Sequence, residues 1–223
     1  MDKIINYHCH LGGIADLDAF LESREDVFIS NALDNDELDK HLNVQRDNLW
    51  ITTGQHPLYP KDSITVERVV ELLEANRLFG IGEIGLDKRN DDIRWQKGVF
   101  LEFCDIAKQY DKSVIVHCVG YYYELLGLIK KNFPKLRYIL HGFQGSVDIV
   151  KAYGKYDVVF SLHKDVLRVK NALGILNEIF THHKYVFETD MDKDGVHDVA
   201  KTIVEITGFC GREITVVPRI NKG

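Results

Sequence analysis

Strand-like and helix-like stretches alternate eight times along this chain, and no other feature restricts its fold as tightly. Short β-rich runs fall at Ile4–His10, Val27–Ala32, Leu49–Thr53, Phe79–Ile84, Ser113–His117, Tyr138–His141, Asp157–Leu162 and Tyr185–Glu188. Amphipathic stretches separate them, near Asp16–Glu25, Asp36–Gln45, Thr65–Asn76, Ile93–Tyr110, Tyr122–Lys131, Val147–Tyr153, Leu167–Phe180 and Val196–Thr207. In the third of these, Val66, Val69, Val70 and Leu73 recur at helical spacing. Eight such units with right-handed crossovers predict an α/β fold of the (β/α)8 TIM type. At 223 residues the chain is shorter than the roughly 250 usual for that fold, so the barrel must be compact. A doubly wound open sheet gives the same alternation and is the competing architecture. The hydrophobic fraction of 45% is enough for one core, so residues 1–223 read as a single domain.

The barrel is favoured by where the chemically active side chains fall. Glu83 lies in the apolar run Phe79-Gly80-Ile81-Gly82-Glu83-Ile84, and burying a carboxylate there is costly unless a cation compensates it. Glu83 is therefore read as a metal ligand at the end of strand four. His8 and His10 close strand one, His56 follows strand three, His117 ends strand five, His141 ends strand six, His163 ends strand seven and Asp190 follows strand eight. In a barrel all those strand ends converge on one face, where sites in this fold are built. The two-residue period of a strand puts His8 and His10 on one face and turns Cys9 toward the helices. By the same parity Glu188 and Asp190 share the inner face, and Cys118 is out of register with His117. His163 is either a ligand or a pocket residue. His41, His182, His183 and His197 fall in or beside helices and are read as surface residues.

Composition excludes some roles. Acidic side chains outnumber basic ones 34 to 28, for a net charge of -6, so no broad basic face attracts polyanions. The four cysteines form no CxxC pair and no disulfide framework, which suits a reducing compartment. Met1-Asp2-Lys3 leads directly into Ile4-Ile5 without a long apolar segment, so neither a signal peptide nor a membrane span is expected and a cytoplasmic location is.

Several stretches together resemble the TatD family of metal-dependent deoxyribonucleases, among the amidohydrolase-like barrels. They are His8-Cys9-His10-Leu11, Gly54-Gln55-His56-Pro57, Gly82-Glu83-Ile84-Gly85-Leu86-Asp87, the Arg94/Gln96/Phe100 pattern, Val114-Ile115-Val116-His117-Cys118, His141-Gly142-Phe143-Gln144-Gly145-Ser146 and Glu188-Thr189-Asp190. They occur in family order over most of the chain. The resemblance implies two divalent ions, Zn, Mn, Fe or Mg, one held by His8, His10 and Asp190 and the other by His117 and His141, with Glu83 bridging them. Such a pair can clamp the attacking and leaving oxygens of a phosphodiester. It further implies Asp190 as general base, Glu188 as a second acidic site residue and His56 as a contact for substrate phosphate.

The chain also departs from the family pattern. Asn6 stands where an aspartate is usual before the first histidine, and Gly12-Gly13 follow Leu11 where an aspartate is common. Val119-Gly120 replace an arginine beyond His117, and Met191 follows Asp190 in place of a small residue. Tyr121-Tyr122-Tyr123 occupy the expected pocket wall, where Tyr121 could stack on a base of single-stranded DNA. Lys88, Arg89 and Arg94 could contact phosphates, Arg89 foremost. The favoured function is a nuclease removing nucleotides from DNA ends. One alternative is the same barrel hydrolysing another ester or amide, such as a small metabolite or an aminoacyl-tRNA. Another is a non-catalytic scaffold with protein assembly partners.

Overall fold

The structure is a computed structural model, and it describes residues 4–191 and 195–207. Eight parallel strands run in the order β1 to β8, and each is followed by a helical segment. The strands are β1 (Ile5–Cys9), β2 (Val27–Ala32), β3 (Leu49–Thr53), β4 (Gly80–Asp87), β5 (Ser113–Val119), β6 (Tyr138–Leu140), β7 (Val158–Leu162) and β8 (Lys184–Phe187). The helices are α1 (Leu17–Glu22), α2 (Asn35–Leu42), α3 (Val66–Glu74), α4 (Ile93–Gln109), α5 (Tyr122–Asn132), α6 (Val147–Tyr153), α7 (Ala172–His182) and α8 (Val196–Thr207). Sequential neighbours pair all the way round, which rules out the doubly wound sheet.

The ring closes just beyond β8. Cys9 bridges Asp190 in parallel, the amides of Thr189 and Asp190 both donate to the His8 carbonyl, and His10 N–H donates to the Asp190 carbonyl. Asn6, the departure from the family aspartate, clasps the same seam: its Nδ2 donates to Thr189 Oγ1 at 2.7 Å, and Thr189 N–H donates to its Oδ1 at 3.2 Å.

Helix starts follow the expected chemistry. Asp16, Asp34, Thr65, Asp92 and Ser146 each accept, through the side chain, from an amide three residues on. The main core lies between strands and helices and includes Leu72 and Leu73 of α3 together with Ile81, Leu86 and Phe100. A smaller core of Tyr7, Ile29, Ile115, Ile139, Val159 and Val186 fills the barrel. Cys9 and Cys118 belong to the outer layer, as the strand period requires. Cys9, Cys104 and Cys118 are buried free thiols, and Cys210 lies outside the described residues.

Three expectations need correction. Strand four does not end at Glu83: after a register shift between Ile81 and Ile84 it pairs with β5 again as far as Asp87↔Val119. The helix expected over residues 167–180 is a 3-10 turn, Lys164–Arg168, followed by the separate α7. His41 is not at the surface but fully buried, its Nε2 3.1 Å from Ser30 Oγ, so an imidazole on the inner face of α2 meets a polar partner on β2. His183 is partly covered, with its ring against Phe160.

A candidate metal centre at the barrel mouth

Seven side chains from the ends of five strands and the segment after β8 meet where the inner apolar core ends. Glu83, 2% exposed, stands at the middle of them. Its Oε2 lies 3.3 Å from His8 Nε2 and 3.3 Å from His10 Nε2. Those two nitrogens are 3.2 Å apart, and Asp190 Oδ1 lies 3.4 Å from His10 Nε2 and 3.9 Å from His8 Nε2. The other oxygen, Oε1, faces a different group: His117 Nδ1 and His141 Nε2, each at 2.7 Å, and His56 Nε2 at 3.5 Å.

This donor set fits divalent ions. Ligands bonded at about 2.0 Å in a tetrahedron stand about 3.3 Å from one another, close to the spacing around His8, His10 and Glu83 Oε2. The Nδ1 atoms of His8 and His10 are buried without a hydrogen-bond partner among the described residues, so neither ring is fixed by a hydrogen bond behind it. Both rings direct Nε2 into one small space that a cation would satisfy. Groups able to hold an ion include His8, His10 and Glu83; His8, His141 and Asp190; and His56, Glu83 and His117. In the last, the hydrogen bonds argue against His56 as a ligand. Its Nδ1 accepts from Leu58 N–H at 3.0 Å, so a neutral His56 carries its proton on Nε2, the atom facing the centre, and is a donor.

Two further carboxylates stand behind the imidazoles. Asp87 Oδ2 is 2.7 Å from His117 Nε2, and Glu188 Oε1 is 3.3 Å from His141 Nδ1. Each leaves the other ring nitrogen to face Glu83, an arrangement that fixes ring orientation and raises ligand basicity. The sequence reading missed Asp87. The available signal was strand parity, since residues 83 and 87 point to the same side once β4 is known to continue.

Glu188, expected as a second acidic site residue, is fully buried; Gly142 N–H donates to its Oε1 at 2.6 Å, and Ser161 Oγ–H to its Oε2. With its oxygens engaged it positions His141. Arg89, expected on a substrate phosphate, is held by Asp87, its Nε donating at 2.9 Å to Oδ1, while its side chain remains 59% exposed. Tyr121 is the residue before α5 and packs partly buried on the outer core. His163 is buried at the end of β7, where its Nδ1 accepts from Asp165 N–H.

The charges are strongly coupled. Burial disfavours ionised Glu83, but His141 and His8 outweigh it and hold the carboxyl well below its usual range. Burial also works against charged His141 and His117. The Glu83 and Glu188 carboxylates still lift His141 well above a free imidazole, and Asp87 and Glu83 lift His117. Burial and then His141 push His8 down. Protons on His117 and His141 thus supply positive charge that a cation would otherwise bring.

The family described as TatD related DNase matches residues 5–207. The chain belongs to the TatD family. The uncharacterized metal-dependent hydrolase MJ1582 of Methanocaldococcus jannaschii is 28% identical over 175 residues, 72% of this chain and 67% of that protein. YjjV of Escherichia coli K12, also an uncharacterized metal-dependent hydrolase, is 30% identical over 105 residues, 44% of this chain and 40% of its own length. The crystal structure of YjjV, a TatD homolog, superimposes with a TM-score of 0.75 at 20% identity, covering 91% of this chain and 90% of YjjV. A TatD family hydrolase from Entamoeba histolytica gives 0.65 at 16% identity, over 84% and 73%. At those identities the structural likeness concerns the fold. This TatD chain is a metal-dependent hydrolase, and its clusters of His, Glu and Asp are the candidate metal ligands. Among the described residues no helix is long and apolar enough to cross a membrane.

Proposed function

We propose that this chain hydrolyses phosphodiester bonds at DNA ends, with two divalent ions held in the barrel mouth. The observation that carries this reading is the division of Glu83, one oxygen toward His8 and His10 and the other toward His117 and His141. A carboxylate so divided suits two ion positions, the first completed by Asp190. Two ions so held would polarise the phosphoryl oxygens and make the attacking water more acidic. Asp190 takes the water proton: its side chain is 38% exposed, whereas Glu83, Asp87 and Glu188 are enclosed. His56, with its proton on Nε2, donates to a phosphate oxygen. The exposed side of Arg89 and the Tyr121 ring are further candidates for substrate contact. Because Glu83 lies deep in the mouth, the scissile group must be carried inward, which a frayed or single-stranded end allows more readily than the middle of a duplex.

The description TatD related DNase adds support. A second reading, hydrolysis of another ester or an amide, is favoured by Val119-Gly120 replacing the arginine beyond His117. The test incubates end-labelled single- and double-stranded DNA with metal-replenished wild type and Glu83→Ala. Mononucleotide products from the wild type that disappear in the variant support the nuclease. Intact DNA together with a Glu83-dependent esterase or amidase activity would replace it with the second reading.

A further inference from the structure

A cleft of about 310 Å³ opens beside Asp190, lined by His163, Lys164, Asp165, Arg168, Asp190 and Met191. We propose that it is the subsite for the nucleotide flanking the scissile phosphodiester, with Arg168 and Lys164 taking that nucleotide's own phosphate and Met191 covering its sugar or base. This rests on the phosphodiesterase reading above.

The 3-10 turn builds the cationic side. His163 Nδ1 accepts from Asp165 N–H, and Asp165 Oδ1 holds an Arg168 guanidinium nitrogen at 2.8 Å. The guanidinium is thereby oriented without being used up: one of its five N–H donors faces Asp165, and the side chain is 79% exposed. Lys164 adds a second cation to the same wall. Met191, the departure from the family's small residue and the chain neighbour of Asp190, also lines the cleft and is 75% exposed. A flexible thioether suits a sugar or base face more than it suits water. The cleft therefore pairs cations with an apolar contact and is lined by Asp190, the proposed base, and a small neutral ester would leave it unfilled.

The kinetic test compares dTpdT with pdTpdT and dTpdTp on the metal-loaded enzyme. One terminal phosphate raises kcat/KM by about tenfold, as for a charge-assisted contact. That ratio collapses toward one in Arg168→Ala and Lys164→Ala and is partly retained in Arg168→Lys. Cleavage of all three substrates at equal rates overturns the subsite and leaves the phosphodiesterase reading standing. Should none be cleaved, that reading fails, and a binding arm still decides the subsite. The chain has two methionines, so methyl-13C-methionine labelling gives a simple spectrum in which Met191→Leu assigns the reporter. In EDTA-treated protein, thymidine 5'-phosphate shifts the Met191 methyl saturably, and Arg168→Ala weakens the effect. No shift, or one that is unchanged by Arg168→Ala, overturns the proposal.

Discussion

Asp87 and Glu188 each stand behind an imidazole and leave its far nitrogen facing Glu83, so their contribution is to orientation and basicity. Truncating either should weaken metal binding about 10- to 100-fold, as is common for such partners, while the ligands themselves stay in place. Chelator competition on Asp87→Ala and Glu188→Ala checks this, and wild-type affinity in both would remove the positioning role. The protonated state makes a second prediction. His117 and His141 hold their protons to higher pH than a free imidazole, and His8 gives its proton up at lower pH. Loading the stripped protein near neutral pH should therefore release protons, from His117, His141 and His10, whose pKa, despite burial, Glu83 and Asp190 also raise, rather than from His8, and affinity should fall as the solution is acidified. Calorimetry in buffers of different ionisation enthalpy counts them. The ligand types were readable in the sequence because a histidine or glutamate at a strand end is conspicuous. The engaged oxygens of Glu188 were not, because Gly142 and Ser161 are its neighbours only in space.

At the scale of elements, β4 and β5 carry the centre and approach each other unusually closely. Gly85 sits at φ +152, and a Cβ there would run into the His117 carbonyl oxygen, so β4 can lie against β5 only with glycine at this position. Gly85→Ala should destabilise the fold by roughly 3 kcal/mol or more and lower metal content with it, read from denaturant unfolding and metal analysis. Helix α2 is tied to β2 through buried His41, whose pKa is pushed down to about 4, chiefly by burial and then by Lys40. The sign follows from proton counting. Below about 6.5 the unfolded chain protonates this imidazole and the folded one does not, so stability is intact above that pH and is lost as pH falls toward 4. The loss is at most about 3 kcal/mol, and His41→Gln should flatten this part of the pH profile in parallel unfolding titrations. Sequence periodicity placed α2 correctly but put His41 outside, since a lone histidine on a polar helix has no marker for the serine waiting on the next strand.

The whole molecule is a ring whose last seam is made by a few residues. Among the described residues Thr189 and Asp190, beyond β8, make the backbone bonds back to His8, Cys9 and His10, so closing the barrel also delivers Asp190 to the centre. An ion binding across that seam stabilises the folded ring alone, by about 4 kcal/mol at a thousandfold excess over Kd. EDTA should accordingly lower the melting temperature of metal-loaded wild type and leave Glu83→Ala almost unchanged; equal shifts in both would detach the metal from this centre. The alternation of periods two and 3.6 determined an α/β fold of eight strand-helix units, because each period buries one face; the reactive side chains at the strand ends favoured a barrel, and the pairing of sequential neighbours decided it against the open sheet. The same local pattern determined that the strand ends would carry His8, His10, Glu83, His117, His141 and Asp190. Tertiary structure alone decided what each does: which Glu83 oxygen meets which imidazole, which nitrogen of His56 keeps the proton, and which carboxylates face the mouth or stand behind a ring. Those choices depend on separations of a few ångströms between residues far apart in the chain, and no local period encodes them.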